Sequence, residues 1–374
     1  MVSWFIIHYL LAAKILCLIL FVTLSFKNRI FRFLIINTAI SLLVFEILIA
    51  LMLVHPSIAK FGPRNFLVKI YMNHYRNVIQ LDPKFTRYDP YLKYTFRPGV
   101  FFFHNSEFNN KFGVNSLGVR DDESSLSSPD IVVAGDSIPM GWGVNQDETF
   151  AKQIEKGSGL KVLDAAVSSY STVEAMRILE KVDTSKMKFL IIYYEHWKYK
   201  ENLSFYLLKD KFRILDQKAY EKTVNDYAKD KRYYPGKYLK IALEELSDKL
   251  FDILLPMVFK MDTVPSHSAD DKSISIQLEA EIFLYTLIHA SRVDLNNVKI
   301  IILCPKDFIE PLKDAASKEY PTFIKNIIQI EEPAIKEDYG YILDDHPTAK
   351  WHRQVAGEIL RILNANTKFS DKGT

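Results

Sequence analysis

The stretch Asp130-Ile-Val-Val-Ala-Gly-Asp-Ser-Ile-Pro-Met-Gly-Trp-Gly-Val144 decides the fold that we expect for this chain. Ile131 to Ala134 is a short, mostly β-branched apolar run, which is typical of a strand buried on both faces. Gly135-Asp136-Ser137 breaks the run, and Ala151 to Lys156 continues the chain as a helix. A serine on the turn after a parallel strand is where an α/β fold presents a nucleophile. All three residue types also favour ordinary turns, which is the simpler interpretation.

A second segment, near the C-terminus, carries the partners that a reactive serine needs. Asp344-Asp345-His346-Pro347 follows a stretch that we expect to be extended, Gly340 to Leu343. It precedes a predicted helix with apolar positions at Val355 and Ile359. A hydroxyl needs a base to accept its proton, and the base needs an acid to orient it. Both requirements can be met from this segment.

Together the two segments resemble the SGNH (GDSL-type) hydrolases, whose first block is Gly-Asp-Ser and whose last block is an Asp shortly before a His. The resemblance covers roughly Asp130 to Asn364. It implies a flavodoxin-like, three-layer α/β/α fold with a parallel sheet. It also implies that Ser137 is the nucleophile, His346 the general base and Asp344 the acid that orients the base. Asp345 is the other candidate for this role. Many members have Asp-x-x-His, but the residue three positions before His346 is Leu343 in this chain, so the acid must come from a neighbouring position.

The resemblance further implies hydrogen-bond donors for the oxyanion that forms during ester cleavage. The backbone N–H of Ser137 is the first. The Gly of the family's second block falls at Ser169, which keeps its backbone N–H. The family's third block has an Asn after the third strand, whereas Tyr194 to Lys200 contains none. His196 or Trp197 could offer an N–H in its place, and Asn202 could do so only if the loop folds back. Loss of one such donor costs roughly 3 kcal/mol, so this departure bears on catalytic efficiency.

Strands and helices alternate after Asp130. Three further apolar runs predict strands, and two amphipathic stretches predict helices. The predicted strands are Lys161–Leu163, Phe189–Tyr194 and Val298–Cys304, and the predicted helices are Thr172–Val182 and Ser273–Val293. This alternation indicates a parallel sheet that is covered by helices on both faces.

The composition argues against nucleic acid, metals and cofactors. A net charge of +3 over 374 residues is too small for a nucleic-acid-binding protein, and no basic aromatic stripe is present. The two cysteines, Cys17 and Cys304, do not suggest a disulfide framework. The histidines lack metal-ligand spacing, and we expect His352 at the surface or in local packing. No glycine-rich dinucleotide fingerprint is present, so we expect no cofactor.

The N-terminus predicts two transmembrane helices, Trp4–Phe26 and Phe31–Val54, because each apolar stretch is long enough to cross a bilayer. A buried helical hairpin in a soluble protein is the alternative. Lys27, Arg29 and Arg32 lie between the two stretches or beside them, which places that loop in the cytoplasm. We therefore expect a multi-pass protein of the inner or plasma membrane, with its catalytic domain extracytoplasmic (periplasmic).

We expect four regions along the chain. They are the two spans with their short basic loop (residues 1–56), a juxtamembrane connector and small β-rich lead-in (57–129), the catalytic domain (130–366) and a tail (367–374). The catalytic domain contains a helical insertion at 202–271. Its apolar run, Leu250–Phe259, could contact a membrane or an acyl chain, and the simpler interpretation is the buried face of a helical cap.

The expected activity is ester chemistry through a serine acyl-enzyme. Water as acceptor gives an esterase, and a sugar hydroxyl gives an O-acetyltransferase. An O-acylated cell-envelope or secreted polysaccharide is the preferred substrate, by analogy with anchored relatives. A lipid esterase or lysophospholipase is the second enzymatic interpretation. A catalytically weak pseudoenzyme that binds glycan in an export complex is the non-enzymatic one.

Overall fold

The computed structural model describes residues 28–212, 214–247, 275–335 and 339–370, and short apolar runs rich in β-branched residues form most strands of its central sheet. The strands in these ranges are β1 Thr86–Asp89, β2 Lys93–Phe96, β3 Gly99–His104, β4 Asn109–Val114, β5 Ile131–Ala134, β6 Val162–Asp164, β7 Phe189–Tyr193, β8 Lys299–Cys304 and β9 Ile327–Glu331.

Helices follow most of these strands. The α-helices with both ends described are α1 Arg29–Val54, α2 Pro56–Ala59, α3 Arg64–Ile70, α4 Ser137–Met140, α5 Phe150–Ser158, α6 Thr172–Arg177, α7 Tyr199–Leu207, α8 Gln217–Asp230, α9 Ile276–His289, α10 Lys306–Glu319 and α11 Ala349–Ser370. Residues 237–247 are also helical. The predicted helix Thr172–Val182 is α6 followed by a 3-10 turn, Ile178–Lys181.

The central sheet has five strands in the order β6-β5-β7-β8-β9, and every neighbouring pair is parallel. Numbered along the chain, this is the 2-1-3-4-5 order of flavodoxin-like folds. The prediction of a flavodoxin-like α/β fold with a parallel sheet is therefore confirmed. The strand order reverses between β5 and β7, and ligands of such sheets bind beyond the carboxyl ends of the strands at that point.

Alternate residues of the strands enter two different cores. Val132 and Ile192 pack on one face, and Val133 and Ile191 pack on the other. The first core includes side chains of α6, α9 and α10, and the second includes side chains of α5 and α11. A run that is apolar at every position is required because both faces are buried. The result is three layers, with helices on both sides of the sheet.

The structure differs from the predicted extended segments at two places, strand β9 and the stretch from Gly340 to Leu343. Strand β9 was not predicted, because only one of its five residues is buried and its apolar signal is correspondingly weak. The stretch Gly340 to Leu343 is a loop with one antiparallel bridge, between Gly340 and Pro347, instead of a strand. Its backbone N–H groups at Ile342 and Leu343 are bound by a side chain, Glu107, and are not available to a sheet.

The lead-in contains two antiparallel hairpins, β1–β2 and β3–β4. Aromatic side chains fill the space around β3 and β4. Phe103 and Phe112 contact each other edge to face, with ring centroids 5.9 Å apart, and Phe103 also contacts Trp142 at 5.1 Å. Through Trp142 the second hairpin packs against the loop that follows Ser137.

The chain divides into two compact units. One comprises Met1–Arg76 with Ala228–Asp270, and the other comprises Asn77–Tyr227 with Asp271–Thr374. The insertion predicted at residues 202–271 is therefore shared between the units. Its apolar run, Leu250–Phe259, lies outside the described residues.

Helix α1 is the one helix of the described ranges that is long and apolar enough to cross a membrane, and few of its side chains are buried. The other predicted span, Trp4–Phe26, lies outside those ranges, so two transmembrane helices are not confirmed. In the C-terminal half of α1, Glu46 is buried and accepts hydrogen bonds within the same unit. The donors are the Tyr233 hydroxyl at 3.1 Å, and the backbone N–H groups of Tyr238 at 3.3 Å and Leu239 at 2.9 Å.

Candidate active site

The turn after β5 holds Ser137 at the carboxyl edge of the sheet. Gly135 has φ +152°, and a Cβ there would lie 2.7 Å from Cγ of Pro139. Asp136 accepts a hydrogen bond from the backbone N–H of Ile138 at 3.0 Å through one carboxylate oxygen. Its other oxygen lies 2.9 Å from Nζ of Lys198, whose side chain is fully buried. The ion pair and the hydrogen bond from Ile138 therefore stabilise the turn that carries Ser137.

Ser137, His346 and Asp344 lie in a continuous hydrogen-bonded row. The Ser137 Oγ is 2.8 Å from Nε2 of His346, although the residues are 209 positions apart in the chain. The other ring nitrogen, Nδ1, is 2.6 Å from Oδ1 of Asp344. Asp344 is buried, whereas its sequence rival Asp345 is exposed. This is the geometry that general-base activation of a serine requires.

Two side chains outside the row hold Asp344 and His346 in place. Trp142 stacks on the His346 ring, with centroids 4.9 Å apart, and its Nε1–H donates to Oδ2 of Asp344 at 3.1 Å. Glu107, from the turn between β3 and β4, accepts hydrogen bonds from three consecutive backbone N–H groups, those of Ile342 at 2.6 Å, Leu343 at 2.8 Å and Asp344 at 2.8 Å. Burial raises the pKa of Glu107. The lead-in thus supports the base of the candidate triad.

Two backbone N–H groups are the predicted donors to an oxyanion. The loop after β6 is tied to the nucleophile turn by a hydrogen bond from the Val167 N–H to the Gly135 carbonyl, 3.1 Å long. Ser169 lies two residues further on, with φ +60°. Among the residues that the structure describes, none accepts a hydrogen bond from the backbone N–H of Ser137 or Ser169. Both groups are therefore available to a developing negative charge.

The structure does not bring His196 or Trp197 into this role. The two ring nitrogens of His196 lie 2.7 Å from Oε1 of Glu279 and 3.2 Å from Oδ1 of Asp307. The hydrogen bond with Glu279 raises the pKa of His196 to about 9. The indole N–H of Trp197 donates to Glu195 at 2.9 Å. The side-chain nitrogens of His196 and Trp197 that could have replaced the Asn of the resembled family therefore already contact carboxylates.

Several supporting residues were not identified from the sequence. Trp142 lies in the same stretch as Ser137, so its position five residues later was a possible signal. Glu107 and Lys198 are charged residues in loops, which usually face solvent, and nothing local distinguishes them. His352 was expected at the surface or in local packing, but it is fully buried and its Nδ1 accepts a hydrogen bond from the Phe150 N–H at 3.2 Å.

No family model matches this chain, and no curated protein matches it. Solved structures with some similarity include a candidate lipolytic protein of the G-D-S-L family from Desulfitobacterium hafniense, with 11% identity over 62% of this chain and 98% of that one, at a TM-score of 0.29. An acetyl xylan esterase from the rumen bacterium Butyrivibrio proteoclasticus has 11% identity over 64% of this chain and 65% of that one, at a TM-score of 0.35.

A third similar structure is a carbohydrate esterase whose active site is described as displaying divergent catalytic and non-catalytic binding functions. It has 12% identity over 66% of this chain and 69% of that one, at a TM-score of 0.34. Because all three TM-scores are below 0.5, we infer function from the side chains of this chain alone.

Proposed function

We propose that this protein is a serine ester hydrolase of the SGNH type. The observation that carries the proposal is the row of contacts from Ser137 Oγ to His346 Nε2, 2.8 Å, and from His346 Nδ1 to Asp344 Oδ1, 2.6 Å. A serine, an imidazole and a buried carboxylate in this order form the arrangement that generates an alkoxide nucleophile near neutral pH. It lies where the strand order of a doubly wound sheet reverses, which is the usual place for a ligand.

In the first half of the reaction, the Ser137 Oγ attacks the ester carbonyl while Nε2 of His346 accepts the hydroxyl proton. Asp344 accepts the Nδ1–H and stabilises the imidazolium that forms. The negative charge on the carbonyl oxygen meets the backbone N–H groups of Ser137 and Ser169. Collapse of the tetrahedral intermediate releases the alcohol, which takes the proton from His346, and leaves an acyl ester on Ser137.

In the second half, an acceptor hydroxyl attacks this acyl ester. His346 accepts the proton of that hydroxyl and returns a proton to Ser137 Oγ as the bond between the acyl carbon and Oγ breaks, so the acceptor leaves with the acyl group and the Ser137 hydroxyl is restored. Water as acceptor gives a hydrolase, and a sugar hydroxyl gives an acyltransferase. The same groups serve both acceptors, so hydrolysis is the activity to measure first.

The preferred substrate is an O-acylated cell-envelope or secreted polysaccharide. The proposed location is the inner or plasma membrane, with α1 as an anchor and the site extracytoplasmic. The apolar composition of α1 supports anchoring. Arg29 and Arg32, at the N-terminal end of this helix, support a cytoplasmic location for that end. Ester-bearing lipid is the alternative substrate.

Labelling with a fluorophosphonate probe tests the mechanism. The purified full-length protein in detergent should be labelled, Ser137→Ala should not be, and His346→Ala should be labelled at least a hundredfold more slowly. Hydrolysis of nitrophenyl acetate, a long-chain nitrophenyl ester and an acetylated oligosaccharide then separates glycan from lipid substrates. If the folded wild-type protein is not labelled and cleaves no ester, the proposal is wrong.

A second candidate function is glycan binding without turnover. The observation that favours it concerns the third oxyanion donor of the resembled family, the Asn side chain. His196 is bound to Glu279 and Asp307, and Trp197 is bound to Glu195, so neither residue replaces that donor. A folded, unlabelled protein that still binds polysaccharide would support this function.

A further inference from the structure

Ser169 holds an unusual backbone conformation at the candidate oxyanion site. Its φ of +60° lies in the left-handed region, where the Cβ of an L-residue crowds the backbone. Glycine adopts this conformation without that cost, and serine does so only when neighbouring groups hold it there. The direction of the Ser169 N–H therefore depends on whatever restrains this loop.

One side chain from the lead-in binds both serines of the loop. The Gln80 Nε2 donates a hydrogen bond to Oγ of Ser169 at 2.6 Å. The Gln80 Oε1 accepts one from Oγ of Ser168 at 2.9 Å. A single planar amide that binds two consecutive residues restricts the torsion angles between them. The left-handed turn is thus held by a residue nearly 90 positions earlier in the chain.

Gln80 is itself restrained through its backbone and the residue before it. Its backbone carbonyl accepts a hydrogen bond from the Tyr220 hydroxyl of α8, 3.0 Å long, and the preceding residue, Ile79, is fully buried. The loop has further ties to the lead-in, because the Tyr94 hydroxyl donates to the Ser168 carbonyl at 2.7 Å and the Tyr170 hydroxyl donates to the Tyr94 carbonyl at 2.5 Å. These contacts make Gln80 a fixed support for the loop.

We propose that Gln80 is a positioning residue for the reaction: it keeps Ser169 in the left-handed conformation, so that the Ser169 N–H points at the oxyanion. The inference rests on the proposed function and deepens it. The core of the fold provides the nucleophile and the lead-in provides the alignment of the second oxyanion donor. Gln80 acts through Ser169 and does not need to touch the substrate.

Three variants in the full-length protein test this role, with nitrophenyl acetate as substrate. Gln80→Ala should lower kcat about tenfold with KM within twofold, which is less than the hundred- to thousandfold that loss of a whole donor costs. Ser169→Gly keeps the backbone N–H, removes the hydroxyl that Gln80 binds and adopts positive φ unaided, so it is the background in which the dependence on Gln80 should disappear. Gln80→Ala in the Ser169→Gly background should then lower kcat by no more than twofold. Gln354→Ala, an exposed glutamine of α11, is the matched control and should have no effect.

The double variant separates positioning from other roles. An equal loss of kcat in both backgrounds would mean that Gln80 acts directly or merely supports folding, and would overturn the inference. Unchanged kcat in Gln80→Ala would also overturn it. A wild-type protein that is neither active nor labelled at Ser137 would overturn the proposed function together with this inference. An active wild type with an indifferent Gln80→Ala would overturn this inference alone.

Discussion

Substitution of Glu107 tests how the loop that carries Asp344 and His346 is held. This carboxylate is in the turn of the β3–β4 hairpin and receives three N–H groups, from Ile342, Leu343 and Asp344, at 2.6, 2.8 and 2.8 Å. Glu107→Gln keeps the shape of the side chain but replaces one acceptor oxygen by an NH₂ group. At least one backbone N–H then faces a donor instead of an acceptor.

The expected size follows from the number of bonds that are lost. Oε2 of Glu107 accepts two of the three N–H groups, so the amide oxygen of the substituted side chain should take its place and the Ile342 N–H should lose its partner. A hydrogen bond to a charged group contributes roughly 1.5–3 kcal/mol. About 2 kcal/mol corresponds to about thirtyfold in the population of the correctly held loop. The whole range of 1.5–3 kcal/mol corresponds to about 13- to 160-fold, so we expect kcat to fall by at least about tenfold, with KM little changed.

The assay is steady-state hydrolysis of nitrophenyl acetate together with the rate of fluorophosphonate labelling of Ser137. Both should fall by the same factor, because both depend on the imidazole of His346 being in place. Glu310→Gln, on the exposed surface of α10, is the matched control and should change neither rate. Thermal unfolding followed by circular dichroism checks that the variants are folded.

A Glu107→Gln protein that is folded and within twofold of wild type in both rates would refute this reasoning. It would mean that the Asp344 loop holds its conformation without the carboxylate. A loss of labelling with no loss of hydrolysis, or the reverse, would also contradict it, because one positioned base serves both reactions.

Three further predictions follow from contacts at the site and in the core. Asp344→Asn should lower kcat about 10⁴-fold at pH 7, measured by ester hydrolysis, because it stabilises the wrong tautomer of His346. Trp142→Phe keeps the stacked ring but removes the donor to Asp344, and should lower kcat by about ten- to a hundredfold. Burial lowers the pKa of His352 to about 3, so its contribution to stability is complete above the unfolded pKa of 6.5 and is lost as the pH falls toward 3. Urea unfolding should therefore show that His352→Gln loses about 1.4 kcal/mol less than wild type between pH 7.5 and pH 5.5, and an equal loss would contradict this account.

The parts of the fold that were predicted are those with strong local patterns. Strands β5, β7 and β8 are buried on both faces, so their apolar runs stand out from the surrounding sequence. The edge strand β9 contains Gln and Glu beside isoleucine and has one buried residue, so it lacks the continuous apolar run that identifies the central strands. The loop from Gly340 to Leu343 was misjudged because its N–H groups bind a side chain more than 230 residues away.

The residues of the candidate site also fall into those that a local pattern identifies and those that it does not. Ser137 and His346 could be selected because each stands in a recognisable local block, and Asp344 because it lies two residues before the histidine. The replacement of the missing Asn could not be judged from the presence of an N–H in His196 or Trp197. His196 is bound by Glu279 and Asp307, which lie on distant elements and leave no local pattern in the sequence, whereas Trp197 is bound by its near neighbour Glu195.

The carboxylate inside α1 has a consequence for the order in which the chain is made. Tyr238, whose backbone N–H binds Glu46, is synthesised 192 residues later. At about 5–20 residues per second, the ribosome needs about 10 to 40 s to add those residues. If α1 spans the bilayer as proposed, it enters with an uncompensated acid in its C-terminal half, at a penalty below the roughly 2.5–3.5 kcal/mol of a charge at the centre of a span. The apolar residues of α1 must therefore drive its insertion into the membrane by themselves. The backbone N–H groups of Tyr238 and Leu239 bind the Glu46 carboxylate only after they have been synthesised.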